Sequence, residues 1–501
     1  MTASLRDGAL RSGHEPLDAV LGGGLPANGI SVIMGLPGTG KTIIAEQYAF
    51  NNGRPDRPAI YFSTVSEPLE KIVRFGQTLN FFDVSAVGRS VFYEDLGTAV
   101  SRGGLEGVEE QITLALKERQ PGLIVIDSFK ALRVFARDDA DFRRFLHQLA
   151  GRLTAFPTAC LWIGEYETGD IALLPEFAIA DAIVDLATER SGNQREIRFL
   201  HVRKLRGSGF RSGRHAYRLS YDGLHLFPRL ADPAAGGTYQ PGDQRVSTGL
   251  GPLDQMLDGG FWPGSSTLLA GPTGSGKTLL GLHFILGGAR QGETGVIATL
   301  QENPSQLRLM LAGFGWTADS PGVETMYRSP VDIYIDEWVS ELLRTVDRTG
   351  ARRVMVDSLM NLRMASPDET RFREFMYSLS QRFARQGVSL LTTYEIPELF
   401  ETQAVSNFAM SHLSDNVVFL RYYMDHGSVN RAISVVKTRA SRHASCARRY
   451  EITTGGLVIG DQVDFLNQGP STRLDHEEKR HGNETGYKAK PSGSPVPDGA
   501  V

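Results

Sequence analysis

Two strings of one form, Gly35-Leu-Pro-Gly-Thr-Gly-Lys-Thr42 and Gly271-Pro-Thr-Gly-Ser-Gly-Lys-Thr278, constrain what this chain can fold into more than anything else in its 501 residues. Each matches G-x-x-x-x-G-K-[ST], the phosphate-binding loop of nucleotide hydrolases. Each follows a short apolar run, Ser31-Val-Ile-Met34 or Thr267-Leu-Leu-Ala270, that reads as a buried strand, and each opens a helical stretch. The glycines (Gly35, Gly38 and Gly40; Gly271, Gly274 and Gly276) let the backbone curl so that successive N–H groups face an anion. The following helix presents its positive dipole end to the same anion. Lys41 and Lys277 are the candidates to reach the outer phosphates of ATP, and the hydroxyls of Thr42 and Thr278 to ligate Mg²⁺.

Lys41 and Lys277 lie 236 residues apart, and the spacing is sustained along the chain. Upstream, Glu15-Pro-Leu-Asp-Ala-Val-Leu21 and Gly23-Gly-Leu-Pro-Ala-Asn-Gly29 are echoed by Gly251-Pro-Leu-Asp-Gln-Met-Leu257 and Gly259-Gly-Phe-Trp-Pro-Gly264. Downstream, Leu123-Ile-Val-Ile-Asp-Ser128 is echoed by Val354-Met-Val-Asp-Ser358, and Val202-Arg-Lys-Leu-Arg-Gly207 by Val436-Lys-Thr-Arg-Ala440. A period of this length means a duplicated domain and not a solenoid. Short β-rich runs alternate with helical stretches in both halves, which predicts an α/β fold of two tandem phosphate-loop domains, each with a mostly parallel central sheet. In the second half the expected strands are 267–270, 295–300, 353–356 and 388–393, and the expected helices 277–290, 304–314 and 371–385. The runs 416–421, 432–436 and 448–452 read as hairpin additions to one sheet edge. The Pro/Gly-rich stretch within 231–244 predicts a linker between domains at 1–230 and 245–466, and 467–501 is expected to be a disordered tail.

Two cysteines, Cys160 and Cys446, exclude a disulfide framework or a four-cysteine zinc module. A net charge of −4, with no apolar run of membrane-spanning length, argues against wholesale nucleic-acid or membrane binding and makes the cytoplasm the expected location. Arg352-Arg353 and Arg371–Arg373 are locally basic, a spacing that reads as a solvated face.

Asp127 and Asp357 each end an apolar strand, where a carboxylate holds the Mg²⁺ shell beside the loop threonine. Cleavage of ATP needs, in addition, a group that orients or deprotonates the attacking oxygen. The second half offers Glu302 in Thr299-Leu-Gln-Glu-Asn-Pro304; its alternative reading is a solvated loop carboxylate. The first half offers Val65 and Ser66 at the equivalent positions, with Glu67 one step along and redirected to another face. Lys204 and Arg206, and Lys437 and Arg439, stand at i and i+2 on predicted strands. They read either as cations for a neighbouring subunit's γ-phosphate or as guard charges on an edge strand.

Taken together, the paired loops, the Gly-Gly-x-Pro approach, the Ile-Asp-Ser strand and the Lys-x-Arg strings resemble the KaiC circadian-clock protein family, a double-domain branch of the RecA-like ATPases. The resemblance covers about 13–460. It implies a two-tiered homo-hexamer with ATP between neighbouring protomers, and Lys204, Arg206, Lys437 and Arg439 reaching the adjacent subunit's nucleotide. The second string continues to Ser441 and His443 as in the family, whereas the first has Phe210 where the family has histidine. Family members carry a Glu-Glu pair that is Val65-Ser66 here in the first half and Gln301-Glu302 in the second. The family's phospho-acceptor Ser-Thr pair corresponds to Ser411 and His412.

These residues lead to an ATP-binding signalling ATPase. Its chemistry is expected at Lys277 and Glu302 of the second domain, with Ser411 as a candidate autokinase acceptor and the first domain as a structural ATP site. Its protein partners are not named by any motif. A DNA-acting recombinase or helicase is the competing class, and would need basic or aromatic loops facing a channel; a nucleotide-locked scaffold without turnover is the third.

Overall fold

The computed structural model describes residues 8–64, 69–191, 195–231, 244–317, 320–366, 368–396 and 413–463. The linker stretch 232–243, the segment 464–501, Val65, Ser66, Glu67, Ser411 and His412 lie outside the described residues.

Two nine-stranded sheets carry the two copies. The first contains β1 (Ile30–Gly35), β2 (Ala59–Ser63), β3 (Val91–Asp95), β4 (Leu123–Asp127), β5 (Ala159–Gly164), β6 (Ala182–Ser191), β7 (Arg195–Leu205), β8 (Arg214–Ser220) and β9 (Gly223–Phe227). The second contains β10 (Ser266–Gly271), β11 (Gly295–Thr299), β12 (Val323–Tyr327), β13 (Arg353–Asp357), β14 (Ser389–Glu395), β15 (Asn416–Asp425), β16 (Ser428–Lys437), β17 (Ala447–Thr453) and β18 (Gly456–Val463). The spatial order is β3-β2-β4-β5-β1-β6-β7-β8-β9 in the first sheet and β12-β11-β13-β14-β10-β15-β16-β17-β18 in the second. Adding nine to each label of the first sheet reproduces the second, so the duplication read from motif spacing extends to topology.

The six strands from β3 to β6, and from β12 to β15, are parallel; the remaining three in each sheet are antiparallel additions. The expected strand at 416–421 is therefore corrected in one respect. It is the sixth parallel strand, beside the loop strand β10, and the hairpins begin only after it. Strand β12, strand β18 and the helix Ile335–Thr349 were not anticipated.

Both faces of each parallel sheet are covered, which is why its strands are near-continuously apolar. Val32 and Met34 point into one core cluster and Ile33 into the other; Leu268 and Ala270 are divided from Leu269 in the same way. The helices that open from the loops, α1 (Lys41–Asn52) and α2 (Lys277–Ala289), lie on one face. In the second domain α3 (Ile335–Thr349) and α4 (Glu369–Gln386) cover the other.

The expected solvated face at the basic pairs holds for Arg352 and Arg373, which are exposed, and is corrected for the other two. Arg353 is fully buried, its guanidinium donating to the carbonyls of Ser247 at 2.6 Å and Phe284 at 2.9 Å. Arg371 is largely covered, 14% of its side chain exposed, and pairs with Asp336 at 2.7 Å. Both are structural, so neither is available to a nucleic-acid backbone.

Candidate functional site

Each phosphate loop is held at the carboxyl end of its central strand, the place where open α/β sheets bind ligands. Gly38 and Gly40 have φ of +79° and +87°, and Gly274 and Gly276 have +73° and +90°. This left-handed backbone favours glycine, and it is what curls the N–H groups inward. A Cβ at Gly40 would in addition lie 2.6 Å from Leu219 Cδ1, so the leucine side chain would have to shift.

In the first domain the Thr42 hydroxyl donates to Asp127 Oδ2 at 2.9 Å, and Tyr61 donates to the same oxygen at 2.6 Å. In the second, Thr278 donates to Asp357 Oδ2 at 2.5 Å while Thr393 donates to Oδ1. Thr42 with Asp127, and Thr278 with Asp357, are thus brought together across 85 and 79 residues of chain. They form paired hard-oxygen donor sets of the kind Mg²⁺ prefers, with further positions left for water and phosphate oxygens. Lys41 Nζ donates to Leu36 O at 2.9 Å, and Lys277 Nζ to Gly271 O and Pro272 O at 2.9 and 2.8 Å. Burial lowers the pKa of both lysines, against the pull of nearby carboxylates.

A cavity of about 1010 Å³ adjoins the first loop, lined by Gly38, Lys41, Thr42, Asp127, Lys130 and Glu165 among others. One of about 360 Å³ adjoins the second, with Gly274, Lys277, Thr278, Glu302, Asp357 and Glu395 in its lining. Glu302 therefore stands in the second cavity. Its carboxylate accepts from Thr299 Oγ1 at 3.3 Å, and burial, with Asp357 adding, raises its pKa above the usual carboxylate range. Gln301 lines the same cavity. The matching residues Val65 and Ser66 of the first domain, and the candidate acceptor Ser411, lie outside the described residues.

The Lys-x-Arg strings do not line the cavity of their own loop. Lys204 Nζ donates to the carbonyls of Phe177 and Ala178 at 3.1 and 3.2 Å, and Arg206 pairs with Asp181 at 3.4 Å. Lys437 donates to Ser414 O at 2.7 Å, and Arg439 pairs with Asp415 at 3.4 Å. Arg206 and Arg439 keep 59% and 61% of their side-chain surface exposed, so each presents a guanidinium to the outside of its domain.

Sequence reasoning missed Glu165, Glu395 and Lys130. The signal for the first two was present: they stand 230 residues apart, the offset of Asp127 and Asp357, each directly behind an apolar strand. Lys130 has Met360 at the matching position, so the repeat could not have pointed to it.

Comparisons with known proteins find the same duplication. The KaiC ATPase family profile matches twice, over residues 10–231 and 246–464. Among curated proteins, the circadian clock oscillator protein KaiC of a Picosynechococcus species is 26% identical over 491 residues, covering 94% of this chain and 93% of its own. KaiC 1 of a Synechocystis species and KaiC of Synechococcus elongatus are also 26% identical, each again covering 94% of this chain and 93% of its own.

Proposed function

This chain belongs to the KaiC ATPase family, and we propose that within it the protein is an ATP- and Mg²⁺-binding signalling ATPase whose two sites are unequal. The proposed units are a first domain at 1–230, a linker at 231–244, a second domain at 245–466 and a tail at 467–501. Lys41 and Thr42 with Asp127, and Lys277 and Thr278 with Asp357, would hold the nucleotide and its metal. The loop glycines Gly35, Gly38, Gly40, Gly271, Gly274 and Gly276 would supply backbone N–H donors. Mg²⁺, when bound, draws negative charge from the phosphate oxygens.

The observation that carries the asymmetry is Glu302. It is a half-buried carboxylate inside the second cavity, held by Thr299 and raised in pKa, as suits a group that accepts a proton from an attacking oxygen. The first domain has Val65 and Ser66 in that place, which favours a structural ATP site with little turnover. One carboxylate where the family carries two favours slow hydrolysis, the regime in which nucleotide state can act as a signal. Serine autokinase activity at Ser411 belongs to the same proposal.

The exposed Arg206 and Arg439, with Lys204 and Lys437, favour the homo-hexameric ring in which each pair reaches a neighbour's nucleotide. Signalling proteins are the expected partners and the cytoplasm the expected location. Among the described residues no helix is long and apolar enough to cross a membrane.

Incubation with γ-labelled ATP tests the reading directly, with phosphate release and protein labelling followed together. Lys277→Ala is expected to remove most phosphate release, and Lys41→Ala to leave most of it. Label at residues 406–415 is expected only while Lys277 is intact. If Glu302→Gln leaves phosphate release unchanged, the second-domain assignment fails.

A further inference from the structure

Each loop lysine shares its cavity with a carboxylate that the assignments above leave without a task. Glu395 closes β14, which runs beside the loop strand β10 in parallel register with Glu395 opposite Gly271, the first residue of the loop. The backbone then locks across, Ile396 N–H donating to Gly271 O at 3.0 Å. In the first domain the parallel pairing of β1 with β5 ends at Met34 opposite Gly164, which leaves Glu165 one residue on, beside Gly35. Both carboxylates line the cavity of their loop. The Glu395 carboxylate accepts from the hydroxyl of Thr273, inside the second loop. Of the two anions that act on each loop lysine, Glu165 outweighs Asp127 at Lys41, and Glu395 outweighs Asp357 at Lys277.

We propose that Glu165 and Glu395 are built-in competitors for the γ-phosphate, each neutralising its loop lysine and so biasing its site toward nucleoside diphosphate over triphosphate. The proposal rests on the reading that both loops bind ATP. One lysine cannot fully neutralise two anions. A terminal phosphoryl group brought to the loop lysine therefore meets a carboxylate of the same sign at short range, where Coulomb energy is largest. A diphosphate ends one phosphoryl group short and escapes most of that repulsion.

The carboxylates cannot withdraw with their backbone. Lys130 Nζ donates to Glu165 O at 2.7 Å and pairs with Asp170 at 3.3 Å, and the strand register holds Glu395. Relief comes only by turning the side chain out of the site, so the position of each glutamate reports whether a γ-phosphate is present. A site biased in this way holds its product, which matches slow turnover.

The test is a ratio of affinities measured by calorimetry on the full chain with Mg²⁺, using ADP and a β,γ-imido analogue of ATP. In a Lys277→Ala background, which leaves only the first site, Glu165→Gln is expected to shift the ratio toward the triphosphate about tenfold, the effect of removing one nearby unit charge. Glu165→Asp keeps the charge and is expected to leave the ratio within about twofold of its parent. Glu395→Gln and Glu395→Asp are read the same way in a Lys41→Ala background. Glu165 is exposed, so its replacement leaves the core intact. A ratio unchanged by both glutamines, or a shift toward the diphosphate, overturns the proposal. Parent chains that bind neither nucleotide would instead overturn the ATP-binding reading, a separate and visible outcome.

Discussion

Glu302 sets the first expectation because its chemistry and its ionisation are tied together. Burial and Asp357 raise its pKa, so its protonated form persists to a higher pH than for an ordinary carboxylate. A proton acceptor works only when ionised, and activity should fail on the acid side at that raised value. Phosphate release by the second domain is expected to fall with pH on a limb lying above about 4.3, the value of an unperturbed glutamate. A pH–rate profile checks this, and an acid limb at or below that value would remove the proton-accepting role. Folding stability runs the other way. A carboxyl group with a raised folded pKa contributes stability that is complete below its unfolded pKa and is lost as pH rises through the folded one. In the proposed role the same burial would make Glu302 the stronger proton acceptor, and it costs stability at neutral pH. Glu302→Gln is expected to lower phosphate release about 10²- to 10⁴-fold while leaving unfolding temperature unchanged or raised.

At the scale of elements, the antiparallel additions explain how a glycine-rich loop keeps its shape. Strand β8 alternates its side chains, and Tyr217 donates through its hydroxyl to Thr39 O at 2.6 Å while Leu219 packs under Gly40. Strand β17 repeats the arrangement, with Tyr450 donating to Ser275 O and Ile452 lying under Gly276. Both tyrosines are fully buried, so each hydroxyl satisfies a loop carbonyl that water does not reach. Tyr217→Phe and Tyr450→Phe are each expected to cost about 1–3 kcal/mol, the penalty of leaving that carbonyl unpaired, and to weaken nucleotide binding at the adjacent loop only. Thermal unfolding with and without nucleotide separates the two effects. The pairing of loop threonine and strand-end aspartate was legible in the sequence because each belongs to a local string repeated 230 to 236 residues on. The bracing was not, since Tyr217 reaches Thr39 across 178 residues and a buried tyrosine in a strand looks like any core aromatic. Glu165 and Glu395 share the 230-residue offset of the two aspartates, but that signal says only that they are equivalent; it is the parallel register that sets each beside its loop.

For the whole molecule, the repeat foretold two domains but not how one leans on the other, because their contact uses residues with no counterpart in a single copy's logic. Tyr334, just ahead of α3, inserts into a cluster with Ile197, Phe199 and Ala216 of the first domain, and its hydroxyl donates to Glu196 O at 2.8 Å. Arg218 lies over its ring at 3.9 Å and pairs with Glu337 at 2.6 Å. At the centre, Arg371 of α4 bonds Asp336 at 2.7 Å and Arg214 O at 3.2 Å, joining the second domain's own charge pair to the first domain's backbone. Asp336 keeps only 8% of its side chain exposed, and burial raises its pKa despite the arginine. Losing the cation would leave a buried carboxylate uncompensated, a change that typically costs about 3–5 kcal/mol. Arg371→Ala is thus expected to lower the unfolding temperature at pH 8. Acid should relieve the penalty, because Asp336 can take up a proton once its folded pKa, raised further without Arg371, is approached from above. Calorimetry at pH 8 and pH 5 should therefore show a smaller gap between variant and parent at the lower pH. An equal gap at both values would mean that Asp336 is not held as a buried anion.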